Sequence, residues 1–229
     1  MIIDTIQTKR KNRKTKCGDQ QHVVTNNTIE TQLVNIGQKL LLMRMSKEGY
    51  SVISKKVVHE GPVRLRIDTF NYNGKVFRKE VVEHSPSVGI IPIVNKKEIL
   101  LIKQFRHAVN KSLIEIPAGK IENNEIPYEA ARRELAEETG YLGELKPLTR
   151  CFLAPSYDTE LMHFFVAENM SKLDDPKKMD EDENITSFVV KLNDAIKYCY
   201  DGTIIDCKTV TAIFLYYFAL GNENVFKNN

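Results

Sequence analysis

The segment Gly119–Tyr141 constrains this chain more than any other. It reads Gly-Lys-Ile-Glu-Asn-Asn-Glu-Ile-Pro-Tyr-Glu-Ala-Ala-Arg-Arg-Glu-Leu-Ala-Glu-Glu-Thr-Gly-Tyr, a turn followed by a carboxylate-rich helical pattern. Pro127 suits the first helical position, where its missing N–H has no partner to lose, and Gly140 suits the left-handed residue that ends a helix. The pattern predicts a helix of about three turns. Glu134, Glu137 and Glu138 stand at i, i+3 and i+4, so their side chains share one face at roughly 5–6 Å between Cβ atoms. Like charges at that spacing repel, and Arg133 offsets only part of the repulsion. A hard divalent cation with oxygen ligands turns the repulsion into coordination. The competing reading of any Glu-rich helix is a solvated face, and the residues around the helix decide between the two.

Those residues fall in a fixed order: Gly119, five residues, Glu125, seven residues, then Arg133-Glu134-Leu135, Glu137-Glu138 and Gly140. The stretch resembles the Nudix box almost position for position. Tyr141 alone departs, standing where an aliphatic residue is usual, a change that bears on packing rather than chemistry. Glu134, Glu137 and Glu138 are therefore candidate metal ligands, with Glu138 placed to contact more than one ion. Arg133 is expected to pair with a glutamate and hold its rotamer, and Glu125 to be structural or outer-shell.

At 229 residues and 42% hydrophobic content, the chain has enough apolar material for a core. A formal charge of +3 is too small to argue for nucleic acid. The basic run Lys9, Arg10, Lys11, Arg13, Lys14 and Lys16 reads as a disordered, solvated tail, with RNA, DNA or an anionic membrane as the weaker alternatives. Cys17, Cys151, Cys199 and Cys207 form no Cys-x-x-Cys pair and have no His partner at zinc-like spacing, which points to reduced thiols. The first residues lack a signal-peptide core, and Ile213 to Leu220 is too short to span a bilayer, so a cytoplasmic protein without membrane association is expected.

Along the chain, Leu33, Ile36, Leu40 and Met43 recur at three and four residues, with Leu41 and Leu42 widening the stripe, as in an amphipathic helix. Extended segments are predicted near 50–58, 62–71 and 75–83, and Asn73-Gly74 signals a hairpin between the last two. Val88–Val94 and Ile99–Phe105 read as buried strands joined by a tight turn. Leu113–Ile116, 146–153, 160–167 and 185–191 read as further strands, with a charged loop at 171–184, and helices are expected at 193–201 and 207–220. The predicted fold is α/β: a Nudix-type α/β/α sandwich with a mixed sheet, preceded by a small antiparallel N-terminal sheet. The expected organisation is an N-terminal extension at 1–48, a β-sheet region at 49–86, the catalytic domain at 87–221 and a tail at 222–229.

Outside the box, Lys103-Gln104-Phe105-Arg106, Glu115-Ile116-Pro117-Ala118-Gly119, Arg78-Lys79-Glu80-Val81-Val82-Glu83-His84 and the loop Ala154–Glu160 look like the ADP-ribose pyrophosphatase branch of the family. The resemblance covers roughly 55 to 218. It implies a metal ligand in the backbone carbonyl of Ala118, and substrate contacts at Arg106, Glu115 and Arg78. For Glu115 a salt bridge is the alternative. It also implies a general base in the acidic segment Glu181-Asp182-Glu183, with Glu181 as base and Glu183 as auxiliary ligand. Members of the branch stack adenine on aromatic residues of a second subunit's N-terminal sheet. That implies a homodimer, and Phe70, Tyr72 or Phe77 stands in for the tryptophan this chain lacks. Ser156-Tyr157 replaces a glycine-containing turn, which leaves the base preference open.

Together these imply a Mg²⁺-dependent hydrolase, with Mn²⁺ as the substitute ion, that splits ADP-ribose into AMP and ribose 5-phosphate. Another nucleoside diphosphate sugar such as GDP-mannose is the alternative substrate. A ligand-sensing or RNA-associated protein of the same fold is the alternative class, although the intact glutamates favour catalysis and nucleic acid is not expected as a partner.

Overall fold

The computed structural model describes residues 49–61, 63–95, 97–174 and 185–221. The amphipathic helix expected around Leu33–Met43, the tail at 222–229 and the candidate residues Glu181 and Glu183 lie outside them.

Strands β1 (Tyr50–His59), β2 (Arg64–Tyr72) and β3 (Lys75–Glu83) form a three-stranded sheet in that order. β2 and β3 pair antiparallel from Arg64↔Glu83 to Tyr72↔Lys75, so the loop between them has two residues. Both have positive φ, Asn73 at 51° and Gly74 at 79°, as a type I′ turn requires and as Asn-Gly tolerates. Phe70 and Phe77 face each other across this hairpin with ring centroids 5.8 Å apart.

A second, mixed sheet follows. Its strands are β4 (Ser87–Asn95), β5 (Glu98–Arg106), β6 (Lys111–Glu115), β7 (Ala118–Lys120), β8 (Tyr141–Phe152), β9 (Leu161–Lys172) and β10 (Ile185–Lys191), with the path β10-β5-β4-β9-β8. β4 and β9 run parallel, and the other pairings are antiparallel. β4 and β5 leave their tight turn side by side and then part. Only Ile93↔Ile99 and Asn95↔Glu98 pair, after which β6 takes the edge of β5 and β7 takes the edge of β4. The link from Glu115 to Ala118 bridges this fork, and Ile90 N–H donates to Pro117 O at 2.8 Å to close it.

Period-two alternation sends side chains to opposite faces. Val88 and Ile90 of β4 and Phe165 and Ala167 of β9 pack with Ala130, Ala131 and Leu135 of helix α1 (Pro127–Thr139). Ile91 and Ile93, with Met162, Phe164 and Val166, pack on the other face. There they meet α2 (Leu192–Tyr200) through Leu192 and Ala195, and α3 (Cys207–Leu220) through Ala212, Ile213 and Tyr216. The result is the α/β/α sandwich read from the sequence. β3 meets the loop between β8 and β9 where Val82 N–H donates to Tyr157 O (2.7 Å) and Thr159 N–H donates to Val82 O (3.1 Å).

Two strands depart from the expected boundaries, and two short elements were not expected. β8 starts at Tyr141, directly after the helix cap, rather than at 146. Register shifts at Leu142/Glu144 and Pro147/Thr149 break the alternation that would have revealed it. β9 runs on to Lys172, beyond 167, because its exposed end pairs with that same extension. A 3₁₀ turn at His107–Val109 and the short β7 carried no periodicity to read. Tyr141 packs against Leu100, Ile102 and Ile185, so its ring fills the place of an aliphatic side chain. Among the described residues no helix is long and apolar enough to cross a membrane.

The first turn of α3 is tied to β6 by Thr209. Its buried hydroxyl accepts from Ile116 N–H at 2.9 Å and donates to the N-cap carboxylate Asp206 Oδ2 at 2.5 Å. Thr209→Val keeps the shape but leaves that amide unsatisfied, and should lower unfolding free energy in urea by about 1–3 kcal/mol. An unchanged midpoint and slope would show that the hydroxyl does not hold the strand.

Candidate active site

The helix α1 begins and ends as its sequence dictates. Pro127 occupies the first turn, and Gly140 takes the left-handed conformation (φ 72°) and donates to Ala136 O at 2.9 Å. Between them, Arg133 organises the acidic face. Its Nε and Nη2 each lie 3.0 Å from an oxygen of Glu125, Nη1 lies 2.7 Å from Glu134 and 3.2 Å from Glu137, and Nη2 also donates to Lys120 O at 3.0 Å. One guanidinium thus satisfies three carboxylates and ties the helix to the preceding turn. The hydrogen bond to Glu125 is the largest cause pushing the arginine's pKa above its usual value.

Glu138, 6% exposed, turns the other way and accepts from the backbone N–H of Ala118 at 2.9 Å. Glu134 lies directly over Gly119, where a Cβ would stand 1.9 Å from its Oε1. Any side chain at 119 would push the Glu134 carboxylate from this position. The structure therefore brings together Ala118, Gly119, Glu125, Arg133, Glu134, Glu137, Glu138 and Gly140. In this arrangement the carboxylates are shared between Arg133 and the Ala118 amide. Among the described residues no three acidic, His or Cys side chains stand around one point in metal-holding geometry.

Beside the Ala118–Gly119 turn opens a cleft of about 330 Å³, lined by cations Arg106, Lys120 and Lys208 and by His84, Ser87 and Glu160. Arg106 forms a two-pronged pair with Glu115, Nε to Oε1 at 2.8 Å and Nη2 to Oε2 at 2.6 Å. Glu115 is fully buried, and Lys208 also donates to its Oε2. Burial alone would push the Glu115 carboxyl up. The hydrogen bond from Arg106 and the charge of Lys208 outweigh it and hold the group below the usual range. Both oxygens of Glu115 are thus occupied by protein partners, the salt-bridge alternative of the sequence reading, and the residue faces a cation row rather than open cleft. Arg78 is exposed on β3 opposite Thr69 and does not line the cleft.

Sequence reading passed over Lys208, Ser87 and Glu160. Ser87 is 2% exposed and donates to Glu160 Oε1 at 2.6 Å, and His84 Nδ1 lies 3.8 Å from Oε2. A serine opening a strand and a lysine in a helix's first turn carry no spacing signal. The Asp206-x-x-Thr209 cap was the one local hint that this turn is fixed in place.

The NUDIX domain pattern matches residues 83–203. Over 142 residues the chain is 38% identical to the ADP-ribose pyrophosphatase of Bacillus subtilis (strain 168), covering 62% of this chain and 77% of that protein. It is 37% identical over 153 residues to the methanol dehydrogenase activator of Bacillus methanolicus, covering 66% of this chain and 83% of that one. It is 34% identical over 177 residues to the GDP-mannose pyrophosphatase of Salmonella arizonae, covering 71% and 92%. The crystal structure of an ADP compounds hydrolase shares the fold, with a TM-score of 0.70 at 24% identity over 79% of this chain and 98% of the other. Fold and sequence together define a hydrolase enzyme. The chain belongs to the Nudix family.

Enzymes of this family generally use a divalent metal, and the donor chemistry here suits one, although Arg133 and the Ala118 amide engage these carboxylates in this structure. Glu134, Glu137 and Glu138 offer hard oxygen donors on one helix face, and the side-chain-free backbone of Gly119 lets the Glu134 carboxylate lie against the turn.

The Arg133 clamp also sets an acid dependence. The hydrogen bond from Arg133 holds the Glu125 carboxyl below its ordinary value of 4.5, against a smaller opposing effect of burial. A folded-state pKa below the unfolded one means that the unfolded chain binds more protons in acid. The stabilisation is present above about pH 4.5 and is lost as pH falls through the folded value. Glu125→Gln should be less stable than wild type at neutral pH and should lose less of its remaining stability between about pH 5 and pH 3 in urea titrations. Parallel pH profiles for the two proteins would contradict this linkage.

Proposed function

We propose that the protein is a Mg²⁺-dependent pyrophosphatase that hydrolyses ADP-ribose to AMP and ribose 5-phosphate, with Mn²⁺ able to replace Mg²⁺. The observation that carries this reading is the adjacency of two opposite surfaces. A carboxylate-bearing helix face lies against the Ala118–Gly119 turn, and that turn lines a cleft whose more exposed cations are Arg106 and Lys120. A doubly charged diphosphate suits the cationic wall, and 38% identity to a named ADP-ribose pyrophosphatase supports the nucleotide part.

Glu134, Glu137, Glu138 and the Ala118 carbonyl hold the metal in this reading. When bound there, the cation supplies neutralisation of the diphosphate oxygens and acidification of a water. Arg106 has spent Nε and Nη2 on Glu115, which fixes the plane of its guanidinium, and its half-exposed edge binds the diphosphate. Arg133 holds Glu134 and Glu137 in their rotamers. Glu181 accepts the proton of the attacking water, with Glu183 as auxiliary ligand. The chain bearing them enters the sheet at Ile185, which pairs with Gln104, two residues from Arg106. Water adds to one phosphorus, the bridging P–O bond breaks, and the leaving phosphate takes the electron pair.

A cytoplasmic homodimer completes the proposal. The exposed Val52, Ile53, Val76 and Phe77 of the three-stranded sheet offer apolar surface to a second copy, and Cys151, Cys199 and Cys207 are free thiols. Arg78 contacts substrate only if it reaches a cleft across that dimer. Light scattering should give twice the 26.3 kDa chain mass, and a monomer would remove this part.

GDP-mannose is the second substrate reading, favoured by the 34% identity to a GDP-mannose pyrophosphatase. A product assay with Mg²⁺ on ADP-ribose, GDP-mannose and NADH separates the two. AMP and ribose 5-phosphate should dominate, and Glu138→Gln should cut kcat by about 10²-fold or more while the protein still melts cooperatively. Full activity in that variant would sink the metal assignment, and preference for GDP-mannose would replace the substrate.

A further inference from the structure

Glu115 is fully buried yet has no contact with substrate in the mechanism above. It is the inner member of a row of alternating charges: Asp206, Lys208, Glu115, Arg106. Lys208 Nζ lies 3.0 Å from Asp206 Oδ1 and donates to Glu115 Oε2, the same oxygen that accepts from Arg106 Nη2 at 2.6 Å. Exposure is lowest at Glu115, whose side chain is 0% exposed, against 16% for Asp206, 10% for Lys208 and 39% for Arg106. Only the arginine presents much of its side chain to solvent.

We propose that Lys208 is a positioning residue for Arg106: by sharing Glu115 Oε2, it limits how strongly the buried carboxylate draws the guanidinium inward and cancels its charge. This rests on reading Arg106 as the contact for the diphosphate of a nucleoside diphosphate. The four charges of the row sum to zero. Removing the ammonium leaves a net negative buried cluster whose nearest cation is Arg106, and at these distances, away from bulk water, that attraction is strong. The guanidinium is then held on Glu115 and its field in the cleft is offset.

The backbone fixes the geometry that such a device needs. Asp206 caps α3 by accepting from Thr209 N–H at 3.0 Å, and Thr209 in turn accepts from Ile116 N–H, the residue after Glu115. The helix turn carrying Lys208 and the strand end carrying Glu115 are therefore registered to each other by the Ile116–Thr209 hydrogen bond, with Asp206 fixing the turn itself. Lys208 has two carboxylate partners and little exposed surface, so it acts through Arg106 rather than on the ligand.

A double-mutant cycle tests this. Affinity for ADP-ribose is measured by titration calorimetry in EDTA for wild type, Lys208→Met, Arg106→Gln and the double variant, with melting curves as the folding control. Lys208→Met should weaken binding roughly tenfold, the scale of coupling between contacting charges. The double variant should bind no more weakly than Arg106→Gln alone. Additive losses would make Lys208 an independent contact, and no loss in Lys208→Met would leave it without influence; either overturns the proposal. If Lys208→Met does not fold, Lys208→Gln, which keeps a donor toward Glu115 without the charge, takes its place in the cycle. Wild-type protein that binds ADP-ribose in EDTA but does not hydrolyse it with Mg²⁺ overturns the proposed reaction while the cycle still decides the role of Lys208. Wild-type protein that does not bind ADP-ribose overturns both.

Discussion

Glu134 and Glu137 repel one another on the acidic helix face, from which Glu138 turns to the Ala118 amide, and the guanidinium of Arg133 offsets that repulsion. Its bonds to Glu125, Glu134 and Glu137 do more than cancel charge. Because Glu125 lies in the turn before the helix, and Nη2 also reaches Lys120 O, the same group fixes the angle between helix and turn. A lysine would supply one compact charge but not the planar fork that engages Glu125 through two nitrogens while serving Glu134 and Glu137. The glycine beneath Glu134 follows from that geometry. Once the carboxylate is drawn across the turn, no side chain fits under it.

The fork between β4 and β5 gives this assembly its place. A regular sheet would continue pairing the two strands, leaving no gap for the Glu115–Ala118 link. Their divergence after a two-residue contact lets β6 and β7 fill the opening. The link then carries the buried Glu115 toward α3 at one end and the Ala118 amide toward α1 at the other. The two helices lie on opposite faces of the sheet, yet both attach within four residues of chain. Cation row and carboxylate face are thus held at a fixed separation by strand geometry, not by a flexible loop.

How much of this was legible in the sequence follows from where information is local. The helix with its Pro127 and Gly140 ends, the Asn73-Gly74 hairpin and the β4–β5 turn are each dictated by residues within a few positions, and the structure has them where the sequence put them. The beginning of β8 was not legible. Bulges at Leu142/Glu144 and Pro147/Thr149 interrupt its alternation, and its strand character comes from pairing with β9. Lys208 was invisible for a stronger reason. A lysine in a helix's first turn reads as solvated, and only the fold brings it to a carboxylate 93 residues earlier. Glu115 read as either a ligand contact or a salt bridge, and burial with two cationic partners is a tertiary fact. Glu181 and Glu183 lie outside the described residues, so their assignment stands on resemblance alone.

The separation of these parts bears on how substrate choice can vary while the chemistry stays. Residues of the carboxylate helix touch one another and the turn, whereas the far wall of the cleft belongs to other elements. Glu160, held by Ser87 and near His84, sits at the end of the Ala154–Glu160 loop. That loop is bonded to β3 through Val82, and His84 N–H reaches Thr159 Oγ1 at 3.0 Å. The three-stranded sheet thus bears on the loop through Val82 and His84, while Glu160 is also tied through Ser87 to β4, the strand that pairs with Gly119 and Lys120. Relatives that are similar over most of this chain carry names for different substrates. In this chain one cleft is lined both by the Ala118–Gly119 turn, on which the carboxylate helix rests, and by Glu160, Ser87 and Arg106 from other elements.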